Sequence, residues 1–204
     1  MIEIDKNQLT ALILAGGKSS RMKGIDKGLM QINNKYVIQH LYSLAQNFCA
    51  HVLINANKNL ESYDGFGYKV CMDSISGYLG PLAGMYTGLK ESSTEYLITL
   101  PCDGPFINES YFKKMILLES DSDINVAFDG KRLQPVYCLI NKSLLGNLER
   151  FLQSGERKID KWFELCSVNT INFENNKDLF ININNKEDLN KYKEKIKDIL
   201  NKDE

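Results

Sequence analysis

Ala11-Leu12-Ile13-Leu14-Ala15-Gly16-Gly17-Lys18-Ser19-Ser20-Arg21-Met22 is the stretch on which the reading of this chain turns. Its first four residues are an unbroken apolar run that stops at paired glycines. That is the pattern of a strand buried on both faces of a parallel sheet. Glycines directly after such a strand let a ligand approach the backbone and present N–H groups to an anion. Ser19, Ser20 and Arg21 add donors, and Lys27 adds a second cation a short step later. Strand, glycine turn and cations together read as a phosphate cradle. A plain strand-to-helix turn with solvated charges is the rival reading. Two glycines alone do not exclude it, but the whole run through Asp26-Lys27 favours phosphate.

Two other phosphate loops are ruled out. A Walker A loop ending in Gly17-Lys18-Ser19 needs its first glycine at Leu12, inside the strand. The GxGxxG fingerprint fails because Gly16 and Gly17 are adjacent and Lys18 stands where the second glycine belongs.

Outward from this run, strands and helices alternate. Val52–Ile54, Tyr68–Met72, Tyr96–Leu100, Asn125–Phe128 and Pro135–Ile140 read as strands, with Val168–Ile171 and Phe180–Ile183 as short ones. Helical spacing covers Ile38–Ala45, Leu82–Lys90, Lys142–Leu152 and Lys158–Leu165. Asn108 is a cap for a helix over Glu109–Leu118, and Asn185 one for a charged helix over Glu187–Leu200. Alternation of this kind predicts an α/β fold in three layers. The most polar loop is Asn172–Asp178.

At 204 residues the chain buries a core without staples, and its 43% hydrophobic and 25% charged composition is that of a globular protein. A net charge of -1 predicts no general attraction to nucleic acid or to an anionic membrane. The 5 cysteines are odd in number and form no CxxC, so neither a disulfide framework nor a zinc site is expected. Residues Met1–Thr10 lack the basic and apolar segments of a leader, and no apolar run reaches membrane length. A cytoplasmic protein is expected.

In open α/β sheets ligands sit beyond the carboxyl ends of the strands. Asn55, Asp73 and Asp103 fall there. A carboxylate beside a triphosphate has a clear task, to bind Mg²⁺, and Asp103 is the candidate. Asp73 is a candidate for direct or water-mediated contact. The glycine-dense segment Gly77–Gly84 either wraps a nucleobase or ribose or simply starts a tightly packed helix. His40 and His51 have no motif partner, and Ser19 and Ser20 lack a nucleophile-elbow context, so covalent catalysis is not expected.

With these residues in view, Leu14–Met22 together with Asp26-Lys27 resembles the signature of the glycine-rich-loop nucleotidyltransferases, and most closely the molybdenum cofactor guanylyltransferases. The supporting blocks run in order along the chain: Asn55-Ala56-Asn57; Asp73 with Gly80–Met85; Pro101-Cys102-Asp103; Gln134-Pro135; Gly155-Glu156-Arg157; and Asn182-Ile183-Asn184 before Glu187-Asp188-Leu189. The last two blocks carry the subfamily likeness.

The resemblance implies a Rossmann-like nucleotidyltransferase domain with a mostly parallel central sheet. Residues up to about 105 would form the GTP half and 106–204 the molybdopterin half of one domain. It implies transfer of GMP from GTP to molybdenum-molybdopterin, with Mg²⁺ as cofactor. CTP-dependent or sugar-phosphate transfer on the same fold, and a carrier without catalysis, are the alternatives. Leu14, Ala15, Gly16, Gly17, Lys27, Asn55, Asp73 and Asp103 match the GTP positions, and Asp103 matches the metal ligand. Asp103, Lys27 and Arg21 are the expected catalytic set, and Arg157, Asn182 and Asn184 are candidates for the pterin. For Arg157 a solvated helix start is an equal reading. Transient contact with cofactor-handling proteins or apo-molybdoenzymes is implied as well. The chain departs from the family pattern at Lys23, where glycine is usual, and at Gly104, where threonine is frequent.

Overall fold

The computed structural model describes residues 2–15, 27–32, 34–75, 80–119 and 121–201. The apolar run before the paired glycines belongs to strand β1 (Leu9–Leu14). Ala11 and Ile13 enter one core and Leu12 the other. This period-2 split explains why the run has no polar residue: both of its faces are covered.

The remaining strands of the 7-stranded sheet are β2 (His51–Asn55), β3 (Val70–Cys71), β4 (Tyr96–Pro101), β5 (Ile124–Phe128), β6 (Leu133–Asn141) and β7 (Val168–Asn172). Their order is β7-β5-β6-β4-β1-β2-β3. Strand β6 is antiparallel to both neighbours, and every other pair is parallel. The helices are α1 (Val37–Phe48), α2 (Leu60–Asp64), α3 (Pro81–Glu91), α4 (Glu109–Met115), α5 (Leu145–Gln153), α6 (Ile159–Phe163) and α7 (Lys186–Leu200). Side chains of α1, α4 and α7 fill the core on one face, and those of α3, α5 and α6 the core on the other. The three-layer expectation is met. No helix among the described residues is long and apolar enough to cross a membrane.

Four expected boundaries change. The helix capped by Asn108 stops at Met115 instead of Leu118, and Leu117 and Leu118 pair antiparallel with Glu3 and Ile2. The buried amide of Asn125 donates to the carbonyls of Met115 and Leu117 at 2.8 and 2.9 Å, satisfying acceptors that a longer helix would have used. The third expected strand shrinks to Val70–Cys71, and the ring of Tyr68 stacks on Tyr42 with centroids 3.9 Å apart. The polar loop after β7 contains a 3-10 helix, Glu174–Phe180. Phe180–Ile183 is not a strand. It crosses the carboxyl edge beyond β4, where the Ile183 N–H donates to the Asp103 carbonyl at 2.8 Å, while Phe180 and Ile183 sink into the first core.

Candidate active site

Strands β1, β2 and β4 end side by side. The Ala15 N–H donates to the Asn55 carbonyl at 2.8 Å, and the Cys102 N–H to the Leu14 carbonyl at 3.0 Å. Leu14, Ala15 and Asn55 thus form the floor of the carboxyl edge, and Asp73 and Asp103 follow β3 and β4 at the same edge. Gly16, Gly17 and Arg21 lie outside the described residues, as do residues 77–79 of the glycine-dense segment, whose remainder caps and opens α3. The chain re-enters at Lys27, in the 3-10 turn Lys27–Leu29. Gly28 is required there by close approach, since a Cβ would stand 2.2 Å from the Tyr63 hydroxyl.

Lys27 Nζ donates to Asp103 Oδ2 at 2.8 Å and to Asn184 Oδ1 at 2.7 Å. The ion pair is largely enclosed, with side-chain exposures of 22% and 14%, so solvent screens it less than a surface pair. An ammonium has three donors, and two are used among the described residues. The second carboxylate oxygen, Asp103 Oδ1, is buried and has no hydrogen-bond partner among the described residues. A buried charged acceptor left open is costly unless something arrives to meet it.

Asp73 belongs to a second group. Its Oδ1 accepts from Asn55 Nδ2 at 2.9 Å and its Oδ2 from Asn57 Nδ2 at 2.8 Å. Asn57 Oδ1 in turn accepts from the Asp73 N–H at 2.9 Å, so one asparagine clamps both side chain and backbone. Beside it, burial pushes the Cys71 thiol up to about 11, with the charges of Glu91 and Asp73 adding to the effect. Helix α3 presses on this group through Gly84, where a Cβ would meet Asn55 Oδ1 at 2.4 Å.

The pterin candidates separate. Asn184 joins the ionic centre directly. Asn182 lies next to it and accepts from the buried Tyr137 hydroxyl at 3.0 Å. Burial, and after it the charge of Asp103, raises the Tyr137 hydroxyl well above its ordinary range. Arg157 sits on the connection between α5 and α6, the layer of the other core, and its guanidinium donates to the carbonyls of Leu152 and Glu156. Of the two histidines, His40 is buried in α1 and His51 is exposed at the amino end of β2.

Two contributors escaped the sequence reading. Asn57 stood within a quoted block without a role, and its only signal was its place two residues beyond Asn55. Tyr137 sits in the middle of an apolar strand with nothing in its neighbours to mark it. Asp129 is a third group that was passed over. Burial works to raise its carboxyl, but hydrogen bonds from the Arg132 and Lys131 N–H groups and from Gln134 overcome this and hold it below the usual range.

Among the described residues, no three His, Cys, Asp or Glu side chains gather into a metal cluster. The donor set is therefore one carboxylate with an open buried oxygen. That suits Mg²⁺, which proteins commonly hold by one or two carboxylates together with substrate phosphates.

Residues 11–168 match the family described as the MobA-like NTP transferase domain. The molybdenum cofactor guanylyltransferase of Shewanella halifaxensis is 42% identical over 182 residues, covering 88% of this chain and 91% of that protein. The enzyme of the same name from Shewanella loihica is 40% identical over 191 residues, covering 93% and 97%. Among solved structures, molybdopterin-guanine dinucleotide biosynthesis protein A from Archaeoglobus fulgidus superposes with a TM-score of 0.73 at 17% identity, covering 93% of this chain and 99% of that one. A 4-diphosphocytidyl-2C-methyl-D-erythritol synthase from Anaerococcus prevotii gives a TM-score of 0.73 at 16% identity, over 95% and 98%. At such identities the two structures attest a common fold alone. The match over residues 11–168, with relatives 40% and 42% identical across most of both chains, establishes that this protein belongs to the MobA-like NTP transferase family.

Proposed function

We propose that the enzyme transfers GMP from GTP to the terminal phosphate of molybdenum-molybdopterin, releasing pyrophosphate and leaving the guanine dinucleotide form of the cofactor. The observation that carries this reading is the centre formed by Lys27, Asp103 and Asn184 at the carboxyl edge of β1 and β4. It joins a cation suited to a triphosphate with a carboxylate suited to a metal. The relatives' names point to the guanylyl reaction.

The chemistry follows from the acceptor. A phosphate monoester is largely ionised at neutral pH and needs no general base, in keeping with a site where His40 and His51 take no part. An acceptor oxygen bonds to the α-phosphorus of GTP while the bond to the bridging α–β oxygen breaks, so that the electron pair leaves with pyrophosphate. Such a step requires alignment and charge neutralisation. Lys27 turns from Asp103 to the β- and γ-phosphates, and Arg21, Gly16 and Gly17 are assigned to the same phosphates on the sequence motif. Asp103 would hold Mg²⁺, and the ion when bound would supply charge neutralisation at the phosphates. Asn55 and Asp73, braced by Asn57, bind the nucleoside side. Residues up to about 105 serve GTP and 106–204 the acceptor, with Asn182, Asn184 and Arg157 on the acceptor side. The reaction belongs in the cytoplasm, in keeping with the free cysteines, and the bulky product passes to cofactor-handling proteins or apo-molybdoenzymes.

The test is pyrophosphate release with Mg²⁺, molybdenum-molybdopterin and each nucleoside triphosphate in turn. Release with GTP alone, and only with acceptor present, is expected. Release with CTP instead refutes the guanylyl assignment, and bound cofactor without any release refutes catalysis in favour of a carrier.

A further inference from the structure

Tyr137 is fully buried on β6. Edge-on contacts with Tyr111 and Phe180, at centroid distances of 5.8 and 5.0 Å, hold its ring and so its hydroxyl. A buried phenol needs an acceptor. Among the described residues Tyr137 has one, Asn182 Oδ1 at 3.0 Å. Room for the hydroxyl exists because residue 104 is glycine. A Cβ there would stand 2.2 Å from Tyr137 Oη and 3.5 Å from Asn182 Oδ1.

A primary amide has one accepting end and one donating end. Satisfying the tyrosine settles which end is used inside the protein. With Oδ1 turned to Tyr137, the half-buried Asn182 keeps Nδ2 as its remaining group, and no described residue accepts from it. The neighbouring Ile183 N–H is tied to the Asp103 carbonyl, and Asn184 holds Lys27. The free donor therefore sits beside the ionic centre. Donors of this kind meet phosphate oxygens, whereas a metal ion takes oxygen ligands.

We infer that Tyr137 is a positioning residue: by fixing the Asn182 amide it makes Asn182 a hydrogen-bond donor to an anionic oxygen of the acceptor and not a ligand to the metal. The inference rests on the proposed assignment of Asn182 to the acceptor.

Two readouts test it: acceptor affinity from quenching of molybdopterin fluorescence without GTP, and pyrophosphate release with GTP. Tyr137→Phe keeps the ring and removes the O–H. The Kd and KM for the acceptor rise about fivefold, the net worth of roughly one hydrogen bond, while the KM for GTP moves less than about twofold. Gly104→Ser alone collides with the hydroxyl and lowers activity. In the Tyr137→Phe background the same change places a serine O–H near Asn182 and restores most of the lost affinity. Asn182→Asp keeps an acceptor for Tyr137 but removes the outward donor, so acceptor binding weakens. This variant also decides the matter if Tyr137→Phe does not fold.

Acceptor affinity unchanged in Tyr137→Phe overturns the inference. So do equal losses for both substrates, no rescue by serine, or tighter Mg²⁺ binding with intact acceptor binding in Asn182→Asp. Native enzyme that binds acceptor but releases no pyrophosphate from GTP refutes the guanylyl reading alone. The affinity comparison still decides the role of Tyr137.

Discussion

Gly84→Ala should damage both stability and nucleotide handling. The new methyl would lie 2.6 Å from Leu14 Cδ2 and 2.4 Å from Asn55 Oδ1. The leucine methyl is a free end and can turn away. Asn55 is 2% exposed and its amide is committed to Asp73 Oδ1 at 2.9 Å and the Cys71 carbonyl at 3.3 Å, so it moves only by loosening Asp73. Overpacking costs about 1–3 kcal/mol, and a weakened bond to a charged group adds about 1.5–3 kcal/mol. Alanine's better helix propensity offsets about 1 kcal/mol. The net loss is roughly 1.5–5 kcal/mol, a fall in Tm of roughly 3–20 °C for a chain of this size.

Gly146→Ala in α5 is the matched control, because its nearest neighbour is Arg150 Nη1 at 3.6 Å. It should gain a few tenths to about 1 kcal/mol. Thermal unfolding of the two variants, with the KM for GTP alongside, checks the argument. Equal shifts in both proteins would refute the packing argument. A destabilised Gly84→Ala with unchanged KM for GTP would remove Asn55 and Asp73 from the nucleotide site.

Asp103→Ala should cut turnover by at least about 100-fold at saturating Mg²⁺, the scale of losing one electrostatic anchor, and near-normal Mg²⁺-dependent rates would contradict it. Lys27→Ala should raise the KM for GTP by about tenfold or more while acceptor binding measured without GTP holds, since it removes one charge-assisted contact. For the thiols, burial is the leading cause of pKa values of about 11 at Cys71 and Cys166 and about 12 at Cys138. At pH 8 only about 0.1% or less is thiolate, so iodoacetamide labelling followed by mass spectrometry should run roughly two orders of magnitude slower than for a free cysteine. The Asp129 carboxyl is held below its ordinary range, so it contributes stability above that range and loses it as pH falls through the depressed value. Asp129→Asn should therefore lower Tm at pH 7, with the gap closing well below about pH 3.9. A gap that stays constant on acidification would contradict this.

Those parts of the fold governed by local pattern were legible in the sequence. The run Ala11–Leu14 announced a doubly covered strand, and Asn108 and Asn185 announced helix starts, where their side chains accept from the Ser110 and Asp188 N–H groups. What failed depended on distant partners. Ile116–Leu118 has helix-compatible residues, but the N-terminal strand and Asn125 compete for its backbone. Phe180–Ile183 looks like a strand because its apolar residues are buried, yet it is buried under the edge of the sheet and not within it. The same limit holds at the site. Strand-end position marked Asn55, Asp73 and Asp103, whereas the role of Tyr137 depends on a glycine 33 positions earlier and an asparagine 45 positions later.

The bond from Lys27 to Asn184 spans 157 residues and has a consequence for synthesis. Protein chains leave the ribosome from the N-terminus, and domains form as enough chain becomes available. Strands β1, β2 and β4 can associate once β4 has emerged, but Lys27 gains its second acceptor, and the Asp103 carbonyl its tie to Ile183, only when the last segment arrives. The centre of Lys27, Asp103 and Asn184 is thus completed only after residues 183 and 184 have emerged. A nascent chain holding every sheet strand through Asn172 still has an unfinished centre, so binding competence reports on arrival of the C-terminal segment.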